Sequence, residues 1–329
     1  MRRIGVAGRN FLLSGLLLLT GLAPAAQPAI GAETSRVVLA TGAFLGGYYL
    51  LGGAICAEVN DAGGGLRCAI ETSKGQVANL LALQAGQINL ALAQSDWLYH
   101  AHTGSAAPFA GDKAFRDVQP LISLSGAPLA LLTPPGSGVK TIEDLPGKRI
   151  DAGKAGSARR AIMDDVMAAM GWDLGKFKLA SELPEAEAVK ALCAGQIDVL
   201  ALAGFTPGKD VGLALKTCAL EFVPVSGGGR DKVLALKPYY SAITIPAGSY
   251  PGVKRDIPSL GTRVVLLATP KLPEKDAFAL VKIITDHLPE IRRLHPSLAS
   301  IDRTSLASGG IPAPLHPGAA RFFQGAKPR

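Results

Sequence analysis

The chain has 329 residues, of which 48% are hydrophobic, 18% charged and only 5% aromatic, and it carries a formal net charge of +8 at pH 7. That length suits two domains of ordinary size, each able to bury its own core, and the composition excludes a disordered chain. The surplus falls to +5 without Arg2, Arg3 and Arg9, and no Lys/Arg run interleaves with aromatic residues, which argues against a nucleic-acid partner.

The chain opens "MRRIGVAGRNFLLSGLLLLTGLAPAAQPAIGAETSR". Arg2, Arg3 and Arg9 form a basic n-region. Phe11 to Leu22 is an apolar stretch shorter than the ~20 residues a membrane span needs, and small residues follow it. The expectation is a signal peptide over residues 1–32, cleaved after Ala32 with Ala25 and Ala26 as rival sites, and a mature protein in the periplasm.

Next, "RVVLATG" is apolar and β-branched, hence a strand. "AFLGGYYLLGG" is a Gly-rich loop entering a helix that carries Ile55 and Val59. "LRCAIET" is a second strand. "SKGQVANLLALQAG" places Val77, Leu80 and Leu81 on one helical face, with Gly86 where a left-handed C-cap is wanted, and "QINLALAQ" is a third strand. "APLALLTP" then predicts a strand, "TIEDLPGKRIDAG" a short helix, turn and strand, and "KAGSARRAIMDDVMAAMGW" a loop and helix closing near Gly171. "PEAEAVKALCAG" is a helix capped at Gly195, and "QIDVLALAG" is its strand. The last residues add the strand "TRVVLLAT" and a helix from Glu274 to about Leu294.

"LQAGQINLALAQ" and "LCAGQIDVLALAG" are thus the same unit written twice: helix, Gly cap, buried strand. Strand–helix alternation predicts α/β layers with mostly parallel strands. A single strand and helix make a poor domain alone, so the chain's end is expected to complete the first lobe. The predicted organisation is lobe 1 over residues 33–124 plus 242–329 and lobe 2 over 125–241, crossed near Leu124 and Ser241. Ligands are then expected at the carboxyl ends of strands, after Ala93 and Ala203. Four cysteines in an exported chain suggest disulfides. Three pairings are possible, and Cys56–Cys68 with Cys193–Cys218 is the one that keeps each bridge within a lobe.

Three strand-to-helix junctions, Gly42–Tyr49, Thr72–Val77 and Gly153–Arg160, present free backbone N–H groups and a helix dipole to an anion. They carry no dinucleotide fingerprint and no Gly-Lys-Ser/Thr. Arg159 and Arg160 open a helix, where a cation opposes the dipole and a carboxylate ligand would offset it. No catalytic constellation appears, so no enzyme, cofactor or metal is expected. His100-x-His102 lacks acidic or Cys partners, no Ser stands in a nucleophile elbow, and Asp164-Asp165 reads as a solvated helix face. Trp97, Tyr99, Tyr239 and Tyr240 read as core or cleft walls.

"GGYYLLGGAICAEVN", "LRCAIETSKGQVANLLALQAG", "ALAQSDWLYHAHTG", "TIEDLPGKRI", "ALCAGQIDVLALAG", "IPAGSYPG" and "APLHPGAARFF" together, over residues 35 to 325, resemble the TAXI solute receptors. These are the extracytoplasmic binding proteins of TRAP (tripartite ATP-independent periplasmic) transporters. The resemblance implies a two-lobed type II periplasmic-binding fold with a ligand cleft between the lobes. It implies a monomer that captures a small glutamate-like amino acid or a 2-oxo or dicarboxylic acid and delivers it to a membrane TRAP permease. It supports the local disulfides Cys56–Cys68 and Cys193–Cys218. It puts ligand contacts on Gly46, Gly47, Tyr48 and Tyr49, on Thr72 and Ser73, on Gln94, Ser95 and Asp96, and on Ser157, Arg160 and Thr206. Arg160 is the implied carboxylate anchor, with Arg159 at the cleft rim. An exported sensor or surface antigen on the same fold is the alternative.

The chain departs from the family in the loops. The usual "ESTGGSV" is "ETSKGQV", which adds Lys74 and Gln76, and the usual "GSGQR" is "GSARR". Where relatives read "SLHPEP" this chain has "SLSGAP", and a Gly-His-Pro becomes Phe205-Thr206-Pro207.

Overall fold

The computed structural model describes residues 34–294, 296–299, 301 and 303–325. The expected signal peptide lies outside the described residues.

The first strand–helix units are β1 (Ser35–Ala40), α1 (Gly47–Asp61), β2 (Leu66–Glu71), α2 (Gln76–Gln84), β3 (Leu90–Gln94) and α3 (Ser95–Thr103). β1 pairs in parallel with β2 and with β3. The long strand β4 (Gln119–Thr133) leads to β5 (Arg149–Asp151), α4 (Ala158–Met170), β6 (Leu179–Ser181), α5 (Glu185–Cys193) and β7 (Val199–Ala203). There β5 pairs in parallel with β6 and β7. Then follow α6 (Lys209–Thr217), β8 (Glu221–Val223), α7 (Gly227–Leu236), β9 (Ser241–Ile245) and the second long strand, β10 (Ile257–Ala268). Helices α8 (Glu274–Asp286), α9 (Leu288–Leu294) and α10 (Pro317–Gly325) close the chain.

The strand order is β2-β1-β3-β10-β4-β7-β5-β6, with β8 beside β4 and β9 beside β10. The expectation of parallel strands holds inside each half and fails at the centre, where β4 and β10 run antiparallel to each other. Each long strand belongs to both halves. The start of β4 pairs with β10, and its end pairs with β7 and β8. β10 pairs with β9 up to Gly261 and with β3 from Val264. At the crossing a Cβ on Gly261 would stand 2.1 Å from the carbonyl oxygen of Ala127, so only glycine lets the two backbones approach.

Four apolar clusters cover the faces. One joins Val37, Leu51, Ile55 and Leu92 to Leu280, Ile284 and Ile291, so α8 and α9 pack on the first half. The residues before the crossing do not. Ile245, Tyr250 and Ile257 pack with Ala130, Leu132 and Leu200, and Tyr239, Tyr240 and Leu260 pack with Leu131 and Ile162. Residues 241–260 therefore sit with the second half, and β10 rather than β9 carries the return. The helix expected from Glu274 to about Leu294 is also split at His287. Pro289 has no N–H to continue the ladder of α8 and is accommodated in the first turn of α9.

The repeated phrase folds the same way twice. After α2, Gly86 takes φ 70°, its N–H meets Leu83 O at 3.0 Å, and Gln87 N–H meets Ala82 O at 2.9 Å. After α5, Gly195 takes φ 68°, with Leu192 O at 3.0 Å and Gln196 N–H on Ala191 O at 2.9 Å. Both caps are the left-handed turn that glycine adopts without a Cβ penalty. The following strands β3 and β7 are buried and lie beside β10 and β4 respectively. Cys56 on α1 is bonded to Cys68 on β2, and Cys193 at the end of α5 to Cys218 after α6.

Candidate functional site

The first-half side of the site is built at the carboxyl ends of β1, β2 and β3. Asn79, buried in α2, donates its amide to Thr41 O at 2.7 Å and Leu92 O at 2.8 Å, which fixes the ends of β1 and β3 to one helix. Ser73 donates to Thr41 O at 3.2 Å and accepts from Gly75 N–H at 3.0 Å, so its hydroxyl braces the loop into α2. Thr72 beside it is exposed. The N-cap residues of α1, α2 and α3 are Gly46, Gly75 and Gln94, and none of the three supplies a side-chain cap. The first N–H groups of α1 and α2 therefore meet no side-chain cap, as their junctions predict, whereas the third predicted junction, Gly153–Arg160, is capped by Ser157, and in α3 the Asp96 carboxylate takes the Trp97 N–H.

Gln76, a departure that the family pattern does not place in the site, ties these loops together. Its Oε1 accepts from the Tyr48 hydroxyl at 3.1 Å and from Gln94 N–H at 2.8 Å. Burial, with Asp96 adding, holds the Tyr48 hydroxyl far above its ordinary titration range, so it remains a donor. Asp96 stands in the first turn of α3, where its carboxylate accepts from Trp97 N–H at 2.8 Å. Burial pushes its pKa up to about 6. The Trp97 bond opposes this, and the charge of Asp165 across the seam reinforces it.

Asp165 comes from α4 in the second half. The sequence reading as a solvated helix face does not hold for it. One carboxylate oxygen accepts from the hydroxyls of Tyr239 and Tyr240, each at 2.9 Å, and the other meets Lys237 Nζ at 2.8 Å. Both phenols are pushed upward, by burial first and by Asp165 second. The Tyr239 ring lies 5.1 Å from Tyr99 and 5.8 Å from His100, so Tyr99 and Tyr239 are walls of the seam, as expected. Ser95 is fully buried. It donates to Tyr239 O at 2.6 Å and accepts from Arg263 N–H at 3.0 Å, so its hydroxyl joins α3 to β10 and to the segment before β9 rather than facing open space.

After β7 the chain turns through Phe205 and the buried Thr206. The Phe205 ring crosses to the first half, where it packs against Tyr48 with ring centres 6.0 Å apart and stands over Gly47. Beside this contact a cavity of about 430 Å³ is bounded by Leu45, Gly47 and Leu50 from one half and by Leu202, Phe205 and Val211 from the other. Ser157 caps α4, accepting from Arg160 N–H at 3.3 Å. The two arginines take other roles than the family pattern implies. Arg159 is buried against Asp151 at 2.6 Å and also donates to Ala201 O and Leu183 O, so it is a core residue and not a rim residue. Arg160 is held by Asp164 at 2.7 Å and by Glu182.

The structure thus joins Tyr48 and Gln94 through Gln76, with Asp96 acting on Tyr48 through its charge, Gly46 and Gly47 next to Tyr48 in the chain, and Ser73 in the loop before Gln76. Gln76, Asp165, Tyr240 and Phe205 complete the site. The two departures Gln76 and Phe205 were the available signals for two of them. Among the described residues, no group of three or more His, Cys, Asp or Glu side chains is placed to hold a metal, and no helix is long and apolar enough to cross a membrane.

A family model described as the NMT1-like family matches residues 39–326. The chain is similar in fold to a TctC solute binding protein from Polaromonas, with a TM-score of 0.57 and 18% identity over 88% of this chain and 96% of that one. It is similar also to a probable amino-acid ABC transporter extracellular-binding protein from Bacillus subtilis, with a TM-score of 0.50 and 11% identity over 82% of this chain and 99% of that one. The fold is therefore of the type II periplasmic-binding kind.

Proposed function

The chain belongs to the NMT1-like family, and on that premise we propose that it is an exported, non-enzymatic solute receptor of the TAXI type. It captures a small carboxylate between two lobes and presents it to a TRAP permease. The carrying observation is the seam itself. Uncapped N-termini of α1 and α2 on one side meet a half-buried, ionisable Asp96 in the first turn of α3, whose field reaches Tyr48 in the same half and couples to Asp165 in the other. The free N–H groups suit a carboxylate, and Asp96 suits an ammonium group. That pair of charges on one small molecule is an amino acid, which favours the glutamate-like ligand over a 2-oxo or dicarboxylic acid.

The lobes pivot where the long strands cross, at Gly126–Pro128 and Gly261–Arg263, so residues 129–260 move as one body. Closure is a shift between open and closed forms that the ligand favours by touching both lobes. The leader delivers the chain to the periplasm, and the mature receptor acts as a monomer.

Native mass spectrometry of freshly purified mature protein, followed by a thermal-shift screen, tests this reading. A co-purified small acid and stabilisation by L-glutamate are the expected results. Mass action sets that stabilisation at about 2.7 kcal/mol when ligand stands at a hundred times its dissociation constant. Stabilisation by neutral sugars with none by acids would overturn it. Uptake into vesicles with an ion gradient and no ATP tests the TRAP assignment separately.

A further inference from the structure

Phe205 is carried by the second half, yet it packs against the apolar cluster of the first. Its ring stands edge-on to Tyr48, and an added Cβ on Gly47 would fall 2.5 and 2.8 Å from two of its ring carbons. No real Cβ tolerates that distance, so a side chain at 47 and the ring at 205 compete for one space. The ring thus touches Tyr48, which is hydrogen-bonded into the polar cluster through Gln76, and it also lines the cavity of about 430 Å³ beside Leu45, Leu50 and Val211. Resting on the two-lobed receptor reading, we propose that Phe205 and Gly47 are a mating pair that latches the lobes and closes the outer end of the ligand space. The absence of a side chain at 47 is then a docking notch as well as a route to the α1 amides.

The test is a double-mutant comparison on the full mature chain, with two independent readouts. Ligand-free small-angle scattering reads the latch without any ligand. Both Gly47→Ala and Phe205→Ala should enlarge the radius of gyration, and the double variant should be no larger than Phe205→Ala. L-glutamate titration reads the consequence. Gly47→Ala should weaken binding about tenfold or more in the wild-type background, the scale of an overpacked contact, and change it little once Phe205 is Ala. Because the ring lines the cavity, its removal predicts a gain as well: γ-glutamylglycine should bind Phe205→Ala and not the wild type. An unchanged radius in both single variants would overturn the latch. Equal losses from Gly47→Ala in both backgrounds would show that Gly47 serves the amides alone and would overturn the pairing. If L-glutamate fails to bind the wild type while scattering behaves as expected, the receptor's ligand is wrong and the latch stands.

Discussion

Arg159 and Asp151 meet at 2.6 Å in the core of the second half, with side-chain exposures of 3% and 0%. Asp151 ends β5 and also accepts from the Ser181 hydroxyl and from Leu183 N–H, each at 2.8 Å, so both of its carboxylate oxygens are hydrogen-bonded. Its neighbour Arg160 reaches half-exposed carboxylates. Adjacent residues on a helix point about 100° apart, so one arginine enters the core and the other does not.

The consequence is a reversal of the roles the family pattern suggests. Arg159→Ala leaves Asp151 buried without its counter-charge and should cost roughly 3–5 kcal/mol in urea unfolding. Arg160→Ala breaks pairs whose acidic partners are solvated and should cost about 1 kcal/mol or less. Because both its carboxylate partners occupy Arg160, that substitution should also change L-glutamate affinity by less than about threefold. A larger unfolding cost at 160 than at 159, or a large affinity loss at 160, would contradict the observed pairing.

Much of this architecture was legible. The Gly caps at 86 and 195 follow from the repeated phrase, and the two local disulfides follow from spacing and resemblance. The assignment of α8 and α9 to the first half follows from the lack of a third core. The second crossing was not legible, because Pro258 and Gly261 look like loop residues in isolation. They are strand only because β9 pairs on one side and the backbones cross closely at Gly261. The arginine register was hidden for a similar reason. Two adjacent arginines are equivalent until a buried Asp at the end of a short strand selects one of them. The seam's second carboxylate, Asp165, is invisible without the chain reversal that brings Tyr239 and Tyr240 onto α4.

Reduction should destabilise the protein in two separable steps. Cys56–Cys68 closes a separation of 12 residues and Cys193–Cys218 one of 25. Loops of this size restrict the unfolded chain by about 3 kcal/mol each, the longer slightly more. Melting of Cys→Ser pair variants, one bridge at a time, measures both. No drop in melting temperature on removing either bridge would contradict the expectation.

Asp96 should make stability fall as pH rises. Its folded pKa, pushed up to about 6 from 3.8, means its contribution is fully present below the unfolded value and lost as pH climbs through 6. Two units correspond to about 3 kcal/mol as an upper bound. His100 and His316 oppose this trend. Burial lowers both, so their contribution is present above the unfolded value of 6.5 and lost as pH falls. The difference between Asp96→Asn and wild type isolates the carboxylate. The variant should be the more stable at pH 7.5, and the gap should close near pH 4. A gap that persists at pH 4 would mean that Asn acts through packing.

The same carboxylate decides between the two ligand classes. An ammonium group beside Asp96 favours its ionised form, so binding an amino acid should expel the proton that a folded pKa of about 6 retains at pH 5. L-glutamate should therefore bind more weakly as pH drops below 6, with proton release visible by calorimetry in buffers of different ionisation enthalpy. 2-Oxoglutarate lacks the ammonium and should show the opposite slope, since protonation removes a repulsive charge. Asp96→Asn should weaken L-glutamate by about tenfold or more, the scale of a lost charge-assisted contact, and leave 2-oxoglutarate unchanged or improved. If instead 2-oxoglutarate binds the wild type more tightly than L-glutamate at every pH and Asp96→Asn is indifferent to both, Asp96 faces no ammonium. The seam then belongs to a dicarboxylate held by the helix N-termini alone.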